Sequence, residues 1–489
     1  MTDTAEPNVT PPTAGSQYEL VCALFQRVLG VIFFIAFADI GVQIEGLAGS
    51  RGIQPFAEVL AHLGATPGVQ KYLDMPTLFW LNVSDAALVG AAIAGCLVSV
   101  MAVLNWWPRV AFAIAYVLYL SLYHAGGTFM TFQWDGLLLE AGFLAVFLTP
   151  KSRVAIALFY WLLFRLRFMS GLSKLTLHDP TWSGLTALNY YFQVQPLPGP
   201  FAWYAQQLPD WLLRFGTAAT LAVEILVPLM IVLPRRWRFT AAWITIFWQV
   251  LIILTSNHNW FNFLTIALCL FLFDDRAFAR VLPRRLVARL TRVPSPSPGL
   301  LHTGSLASIA LVTAFVSVLQ FRELITLQTV KGRLGDVLAY AESFRLVNGY
   351  HVFPTMKTER IELRIEGSQD GSVWKPYLFK DKPDDPRRAP FWVIPHQPRL
   401  DWRMWFVTEG PVHLPWFHAF LHALLFGSPP VTALLQSDPF PDQPPHYLRV
   451  EAFRYRFTTP EERAATGDWW HVEPLGPFEP LPWMERQVP

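Results

Sequence analysis

The amino-acid sequence predicts a polytopic α-helical membrane domain of about nine spans, followed by a mainly β, sandwich-like soluble domain with a helical insertion. Three observations support this fold class. Hydrophobic residues make up 53% of the chain and charged residues only 15%, whereas soluble domains carry about 25% charge. Long apolar stretches fill positions 20–321. Stretches in which polar and apolar residues alternate occur after them.

The membrane domain is predicted from stretches long enough to cross a bilayer, for which a helix needs about 20 mostly apolar residues. The candidate spans lie near 20–41, 85–104, 108–124, 132–149, 153–173, 211–233, 239–256, 260–274 and 303–321. Two of them are less regular. The segment 260–274 is short, and a re-entrant or tilted hairpin with 239–256 is the alternative to a full span, while 132–149 begins with polar residues. We therefore expect the count to hold to within about two spans.

The distribution of basic residues predicts the orientation, because short cytoplasmic loops are enriched in Lys and Arg. Such residues follow the fourth, sixth and eighth candidate spans, at 151–153, 235–238 and 276–292. The sequence thus predicts an integral, multi-pass membrane protein of a bacterial plasma membrane, or of the ER membrane in a eukaryote. Residues 1–19 are predicted to be a disordered cytoplasmic N-terminus, without the basic region of a signal peptide. Residues 322–489 are predicted to form an extracytoplasmic domain.

The C-terminal region has the alternation typical of half-buried strands. Apolar and charged residues alternate from 361 to 366, and Asp370-Gly371 is a hairpin turn signal. A second alternation runs from 448 to 457, but its phase shifts between Ala452 and Phe453, which predicts a β-bulge. Between these strands, 415–426 has the composition of a helix, and we interpret it as an insertion into a β-sandwich-like domain.

Polar side chains gather beside the predicted outer ends of the spans. We group them as an outer-face polar cluster of His124, Gln133, Asp135, Glu140, Lys174, Asp179, Trp182, His258, Asn259 and Asn262. Ionisable groups are costly inside a membrane and indicate function there. One hypothesis is an outward-facing polar cavity in which Asp135 pairs with Lys174. The alternative is hydrogen bonding between helices, with an aromatic belt at the interface.

The segment 395–406, PHQPRLDWRMWF, concentrates prolines, charges and tryptophans, and we predict a structured loop because Pro395 and Pro398 remove backbone donors. Tryptophan and arginine dominate the energetics of protein interfaces. The partner-binding residues predicted from this segment are His396, Arg399, Asp401, Trp402 and Trp405. An Arg399–Asp401 pair with both tryptophans anchoring the fold is an equally good interpretation.

Several chemistries lack their motifs in this chain. There is no GxSxG, no Walker A and no suitable GxGxxG, so we predict no nucleotide cofactor and no α/β-hydrolase site. His418 and His422 share one helical face without a third ligand, and ordinary packing is favoured over a metal site. The net charge of +2 makes nucleic acid a poor partner.

The chain resembles the lipase maturation factor family from about residue 20 onward. The resemblance is carried by QWDGLLLEAGF at 133–143, RFMSG at 167–171 with Lys174, DPTW at 179–182, QPLP at 195–198, NWFN at 259–262, 366–374, 396–406, PFP at 439–441 and GDWW at 467–470. It implies a multi-pass protein whose C-terminal domain lies in the ER lumen in eukaryotes, where the family helps secreted lipases fold and assemble. This chain departs from the pattern at 190–193, where YYFQ replaces a Tyr-His-Tyr-Glu-like run, and at Ser256 and His258, where Gly and Tyr are expected.

These observations favour a membrane-anchored folding factor for secreted lipases or related hydrolases, with membrane lipid and a lipase-like client as partners and no cofactor. The alternative is a membrane enzyme acting on a lipid or quinone in the outward-facing cavity, since the membrane part faintly resembles that of vitamin K-dependent carboxylases. A transporter is disfavoured by the absence of internal repeats.

Overall fold

The computed structural model describes residues 18–65, 68–291 and 298–486. Most of the predicted disordered N-terminus lies outside the described residues. The helices of the first part are α1 (Glu19–Gly41), α2 (Ile44–Ala48), α3 (Phe56–Gly64), α4 (Gln70–Asp74), α5 (Asp85–Val103), α6 (Pro108–Gly126), α7 (Gln133–Val146), α8 (Arg153–Thr176), α9 (Pro180–Ser183), α10 (Ala187–Val194), α11 (Ala202–Gln206), α12 (Asp210–Leu229), α13 (Arg235–Thr255), α14 (Phe261–Cys269), α15 (Asp275–Val281), α16 (Arg284–Leu290) and α17 (Leu300–Thr326).

The elements of the second part are α18 (Arg333–Ser343), β1 (Arg360–Ser368), β2 (Lys375–Pro376), α19 (Arg399–Met404), α20 (Leu414–Leu425), α21 (Pro429–Thr432), β3 (Tyr447–Phe457), α22 (Pro460–Thr466), β4 (Trp470–Pro477) and β5 (Trp483–Glu485). The order confirms a helical membrane domain followed by a region that contains a sheet.

Within the described residues, seven helices are long and apolar enough to cross a membrane, namely α1, α5, α6, α8, α12, α13 and α17. The other two candidate spans, 132–149 and 260–274, form α7 and α14, which are too short for this. The seven long helices agree with the predicted count of about nine spans to within two. Helices α7 and α14 are apolar because they are buried among the other helices, as Leu138 and Leu268 show with no exposed surface.

Glycines allow helices α1 and α5 to pack closely. A Cβ atom added at Gly95 of α5 would lie 2.2 Å from Cδ1 of the Phe37 ring on α1, so the ring occupies the space that a side chain would need. Small residues at such contacts let helix backbones approach each other inside a membrane.

We expect Gly95→Ala to lower the free energy of unfolding by about 1–3 kcal/mol, because an inserted methyl must push α1 and α5 apart. The matched control is Gly90→Ala on the same helix, since no side chain of the described residues lies within 4 Å of the position of its Cβ. Thermal unfolding in detergent measures both variants. Equal unfolding midpoints for the two variants would show that α1 and α5 accommodate the added methyl group without loss of stability.

The strands form one antiparallel sheet in the order β2-β1-β3-β4, with β5 pairing to a further part of β3. The predicted alternation in 361–366 lies in β1, and the predicted turn at Asp370-Gly371 follows it with Gly371 at φ +74°. The register of β3 against β4 shifts between Ala452 and Phe453, the position of the predicted bulge. Both residues are buried, Ala452 in the main apolar core and Phe453 in a separate apolar cluster with Tyr455 and Phe457.

Within the described residues the sheet is covered by helices and not by a second sheet, which corrects the sandwich-like part of the predicted fold. The predicted helical insertion is confirmed as α20, and its Phe417 and Phe420 belong to the same apolar core as Ile365 of β1 and Leu448 of β3. That core also includes buried residues of α1, α6, α7 and α8. The C-terminal region thus packs directly onto the helical domain.

The basic loops and the C-terminal region lie at opposite ends of the helical domain. At one end, the backbone N–H groups of Leu20 and Val21, in the first turn of α1, each donate to Oδ1 of Asp275 over 3.0 Å. Arg235 and Asp274 pair at the same end. At the other end of α1, Asp39 accepts a hydrogen bond of 2.7 Å from the backbone N–H of Gln397.

Candidate functional site

The centre of the contact between the two parts is a buried ion triad of Asp39, Asp135 and Arg399. Arg399 donates to both carboxylate oxygens of Asp135, with Nη2–Oδ1 and Nη1–Oδ2 distances of 2.9 and 3.1 Å. Its Nε lies 3.7 Å from Oδ2 of Asp39. The side chains of Arg399 and Asp135 have no exposed surface. Such a pair links the start of α7 to the start of α19, far apart in the chain.

Neighbouring groups add hydrogen bonds around this triad, but Oδ2 of Asp39 and Nε of Arg399 have no hydrogen-bond partner among the described residues. Tyr119 donates to Oδ1 of Asp135 over 2.6 Å, and Asn259 donates to the side chain of Gln397 over 2.7 Å. His396 contacts Asp39 with a 2.5 Å Nδ1–Oδ1 distance. Burial lowers the pKa of His396, but the hydrogen bond and charge of Asp39 outweigh that effect, so the pKa is raised from its ordinary value.

A second buried cluster surrounds Glu140 of α7. This carboxylate pairs with Arg165 of α8 and accepts hydrogen bonds from the backbone N–H of Asn348, 2.9 Å, and from the hydroxyl of Tyr350, 2.8 Å. Arg165 in turn donates to the carbonyl of Asn348. The segment after α18 is therefore held on the helical domain by one buried ion pair and its neighbours.

Further residues of the outer-face polar cluster bind the same C-terminal segment. Gln133 makes two hydrogen bonds to the backbone of His351. The other contacts to backbone are His124 to the carbonyl of Ser343, Lys174 to that of Val352, Trp182 to that of Phe353, and the N–H of Met356 to Asp179. His258 lies against the rings of Phe353 and Trp402. Nine of the ten predicted residues thus meet the C-terminal region, and Asn262 faces a cavity instead.

Two predicted ion pairs are wrong. Asp135 does not pair with Lys174, which instead lies 2.8 Å from Oε2 of Glu224 on α12. Arg399 does not pair with Asp401, because the two side chains leave α19 in different directions. Asp401 accepts hydrogen bonds from the backbone N–H groups of Asp381 and Lys382.

The segment 395–406 is an internal contact and not a free loop. Its second half is the helix α19, which begins directly after Pro398, and Arg399, Asp401 and Trp402 have at most 3% exposed surface. The prediction that these three side chains face a partner is therefore wrong, because they already pack inside the molecule. Trp402 contacts the ring of Trp134, at 5.1 Å between centroids. For His396 and Trp405, which are partly exposed, partner binding stays a prediction.

The environment of Asp401 predicts a pH-dependent stability. Burial, together with the charge of Asp381, raises the pKa of Asp401 to about 7. Because this lies above the ordinary value of about 3.9, the stability that the group contributes is fully present below about pH 4 and is lost as the pH rises through about 7.

We expect the unfolding midpoint to fall less between pH 5 and pH 8 in Asp401→Asn than in the native chain. The amide keeps the acceptor oxygen for the two backbone N–H groups but cannot ionise. Asp336→Asn, at an exposed position of α18, is the control and should retain the native pH dependence. The same pH dependence in Asp401→Asn as in the native chain would contradict this account.

A cavity of about 630 Å³ lies beside these contacts, between α8, α10, α12, α13 and α14. Its charged lining residues are Arg167 and Lys174 of α8 and Glu224 of α12, and most of the remaining wall is aromatic or aliphatic. The volume falls within the range of about 300–1,000 Å³ typical of sites for small ligands. In the described residues, no group of three or more His, Cys, Asp or Glu side chains could hold a metal ion.

Most of the cavity was missed by sequence reasoning. Its apolar walls have the composition of any membrane-facing helix, so they carry no signal of their own. One signal was present at the positions that depart from the family pattern. The hydroxyl of Tyr191 lies 2.8 Å from that of Ser256 and 3.0 Å from Nε2 of His258, and Tyr191 and His258 line the cavity.

Comparisons with known proteins cover nearly the whole chain. The family model described as the lipase maturation factor transmembrane domain matches residues 20–280, and that of the lipase maturation factor C-terminal domain matches 346–480. Lipase maturation factor 2 of Gallus gallus is 34% identical, and the alignment covers 94% of this chain and 80% of the relative. For lipase maturation factor 2 of Homo sapiens the identity is 33%, with coverages of 94% and 82%. Lipase maturation factor 1 of Mus musculus is 31% identical, with coverages of 93% and 85%. No solved structure matches this chain.

Proposed function

Because this chain belongs to the lipase maturation factor family, we propose that it acts in the maturation of a secreted lipase or a related secreted hydrolase, as a membrane-anchored folding factor. The relatives' names describe lipase maturation and lend no support to the alternative of a membrane enzyme.

The observation that carries this proposal is the attachment of the C-terminal region to one end of the helical domain through buried side chains. The two buried clusters around Asp135 and Glu140 hold it there. A fixed surface beside the membrane suits a factor that shields the apolar surface of a secreted folding intermediate. The sequence contains no Walker A motif, and the proposed cycle runs on binding equilibria alone.

We propose that the C-terminal region faces away from the cytoplasm. This is supported by its position opposite the basic residues of the loops, which prefer the cytoplasmic side. The test labels single cysteines in intact cells with a maleimide that cannot cross membranes. Ser372→Cys should react from outside and Arg236→Cys only after permeabilisation, both positions being exposed. The reverse pattern would overturn the topology.

The maturation role is tested by deleting the gene in the source organism and restoring it. We expect the specific activity of secreted lipase, measured as ester hydrolysis per mass of secreted enzyme, to fall on deletion and to recover with the native chain. A secreted hydrolase of another class serves as the control for general secretion. An unchanged specific activity of every secreted lipase would overturn the proposal.

We further propose that His396 and Trp405 contact the client, because they keep partial exposure in the 395–406 segment. Trp405 is held in place, since its indole N–H donates to the carbonyl of Val194 and Lys357 lies 3.8 Å from its ring centroid. In the restoration assay, His396→Ala with Trp405→Ala should give less active lipase than the native chain. Trp483→Ala, which removes an exposed tryptophan of β5, is the matched control. Equal lipase activity in both would reject this contact.

A further inference from the structure

The cavity between α8, α12 and α13 has an aromatic opening and a charged inner wall. Phe215 of α12 and Phe247 of α13 line it and are 65% and 60% exposed, respectively. Both lie on helices long and apolar enough to cross a membrane. The opening therefore faces the side where the acyl chains of the bilayer lie.

The inner wall has one positive charge more than its own groups neutralise, because two cations share the carboxylate of Glu224. Nζ of Lys174 lies 2.8 Å from Oε2 of Glu224 and also donates to the carbonyls of Ser170 and Val352. Arg167 reaches Glu224 only over 3.7 Å. An arginine held this way in a membrane domain is costly unless another anion binds it.

Unsatisfied donors indicate where that anion binds. Arg167 is 7% exposed, and among the described residues neither its Nε nor its Nη2 has a hydrogen-bond partner. The side-chain amide of Asn262, which lines the same cavity, is likewise buried without a partner for its Nδ2 within the described ranges. Nε and Nη2 of a guanidinium form the planar fork that binds a carboxylate or a phosphate through two hydrogen bonds.

We propose that this cavity binds a membrane amphiphile with an anionic head and one acyl chain inside the cavity. The head, a carboxylate or a phosphate, accepts hydrogen bonds from Arg167 and from Asn262. The acyl chain lies along the aromatic wall towards the opening between α12 and α13. This inference is independent of the proposed function, and its failure would leave the lipase-secretion result unchanged.

The test titrates the full chain, purified in a nonionic detergent, with oleate, with 1-oleoyl-lysophosphatidate and with oleyl alcohol, and measures the unfolding midpoint. We expect at least one of the two anions to stabilise the native chain well beyond the neutral alcohol of the same chain length. Preference for oleate identifies a carboxylate head, and preference for lysophosphatidate a phosphate head. Equal effects of the anions and the alcohol, or no effect of either anion, would overturn the proposal.

Variants test the binding of the anionic head group and of the acyl chain separately. Arg167→Gln should weaken binding of the anion by about tenfold or more, because it removes a charge-assisted pair of hydrogen bonds. Arg236→Gln, at an exposed position of α13, removes the same charge and should bind as the native chain does. Ala219→Trp fills the cavity without touching its charges and should abolish binding. If Arg167→Gln does not fold, retention of full binding by Ala219→Trp would still overturn the proposal.

Discussion

Arg399→Ala is expected to lower the free energy of unfolding by about 3–5 kcal/mol. The substitution leaves the carboxylate of Asp135 buried without its cation and takes from Asp39 its only arginine neighbour among the described residues. A buried charge without a partner has lost its hydration and gains nothing in return. The measurement is thermal unfolding of the purified chain in detergent, with the recovered amount of monodisperse protein as a second readout.

The control for Arg399→Ala is Arg454→Ala, which breaks an exposed pair with Glu473 on the sheet. Exposed pairs contribute little to stability, so this variant should unfold with the native midpoint. The double variant Asp135→Asn with Arg399→Gln removes both charges of the triad's main pair. Its free energy of unfolding should exceed, by about 0.5–3 kcal/mol, the value obtained by adding the losses of the two single variants. Similar midpoints for Arg399→Ala and Arg454→Ala would contradict a structural role of the triad.

Glu140→Gln is expected to release the segment that follows α18 from the helical domain. The amide keeps the shape of the carboxylate but loses its charge, which leaves Arg165 unpaired in the interior at a cost of about 3–5 kcal/mol. It also weakens the hydrogen bonds from Asn348 and Tyr350. Hydrogen exchange measures this directly, because the backbone N–H of Asn348 donates to Glu140 and should lose its protection.

The matched control for Glu140→Gln is Glu342→Gln, which removes a carboxylate from an exposed pair with Arg345. Exchange in 346–352 should remain native in this control. Protection of 346–352 that is the same in Glu140→Gln as in the native chain would show that the segment is held by its apolar contacts and not by the buried ion pair.

Helices and strands could be predicted from the sequence because each has a short hydrophobic period that depends only on neighbouring residues. A helix places every third or fourth residue on one face and a strand every second, so burial leaves a visible pattern in the sequence. The long spans, the strands β1 and β3, the insertion α20 and the shift at Ala452 and Phe453 were found in this way. Local patterns cannot tell a buried helix from a spanning one, and α7 and α14 were therefore counted as spans.

Membership of the polar cluster was also predictable, because an ionisable group beside a membrane span needs a partner. Its partners were not. Asp135 pairs with Arg399, which lies 264 positions away, and Glu140 binds the backbone of Asn348, which lies 208 positions away. No periodicity connects positions so distant, so the pairing of Asp135 with Lys174 was an inference from proximity to the same membrane face alone.

The sequence by itself determined the family, the helical membrane domain and the sheet-containing region, since these follow from composition, motifs and short-range periodicity. Only the tertiary structure decided that the polar cluster joins the two parts, that the 395–406 segment is largely internal, and that a cavity with an unsatisfied arginine opens beside them. The physical reason is that charge pairing and cavity shape depend on distances through space, which the fold sets after distant segments have packed together.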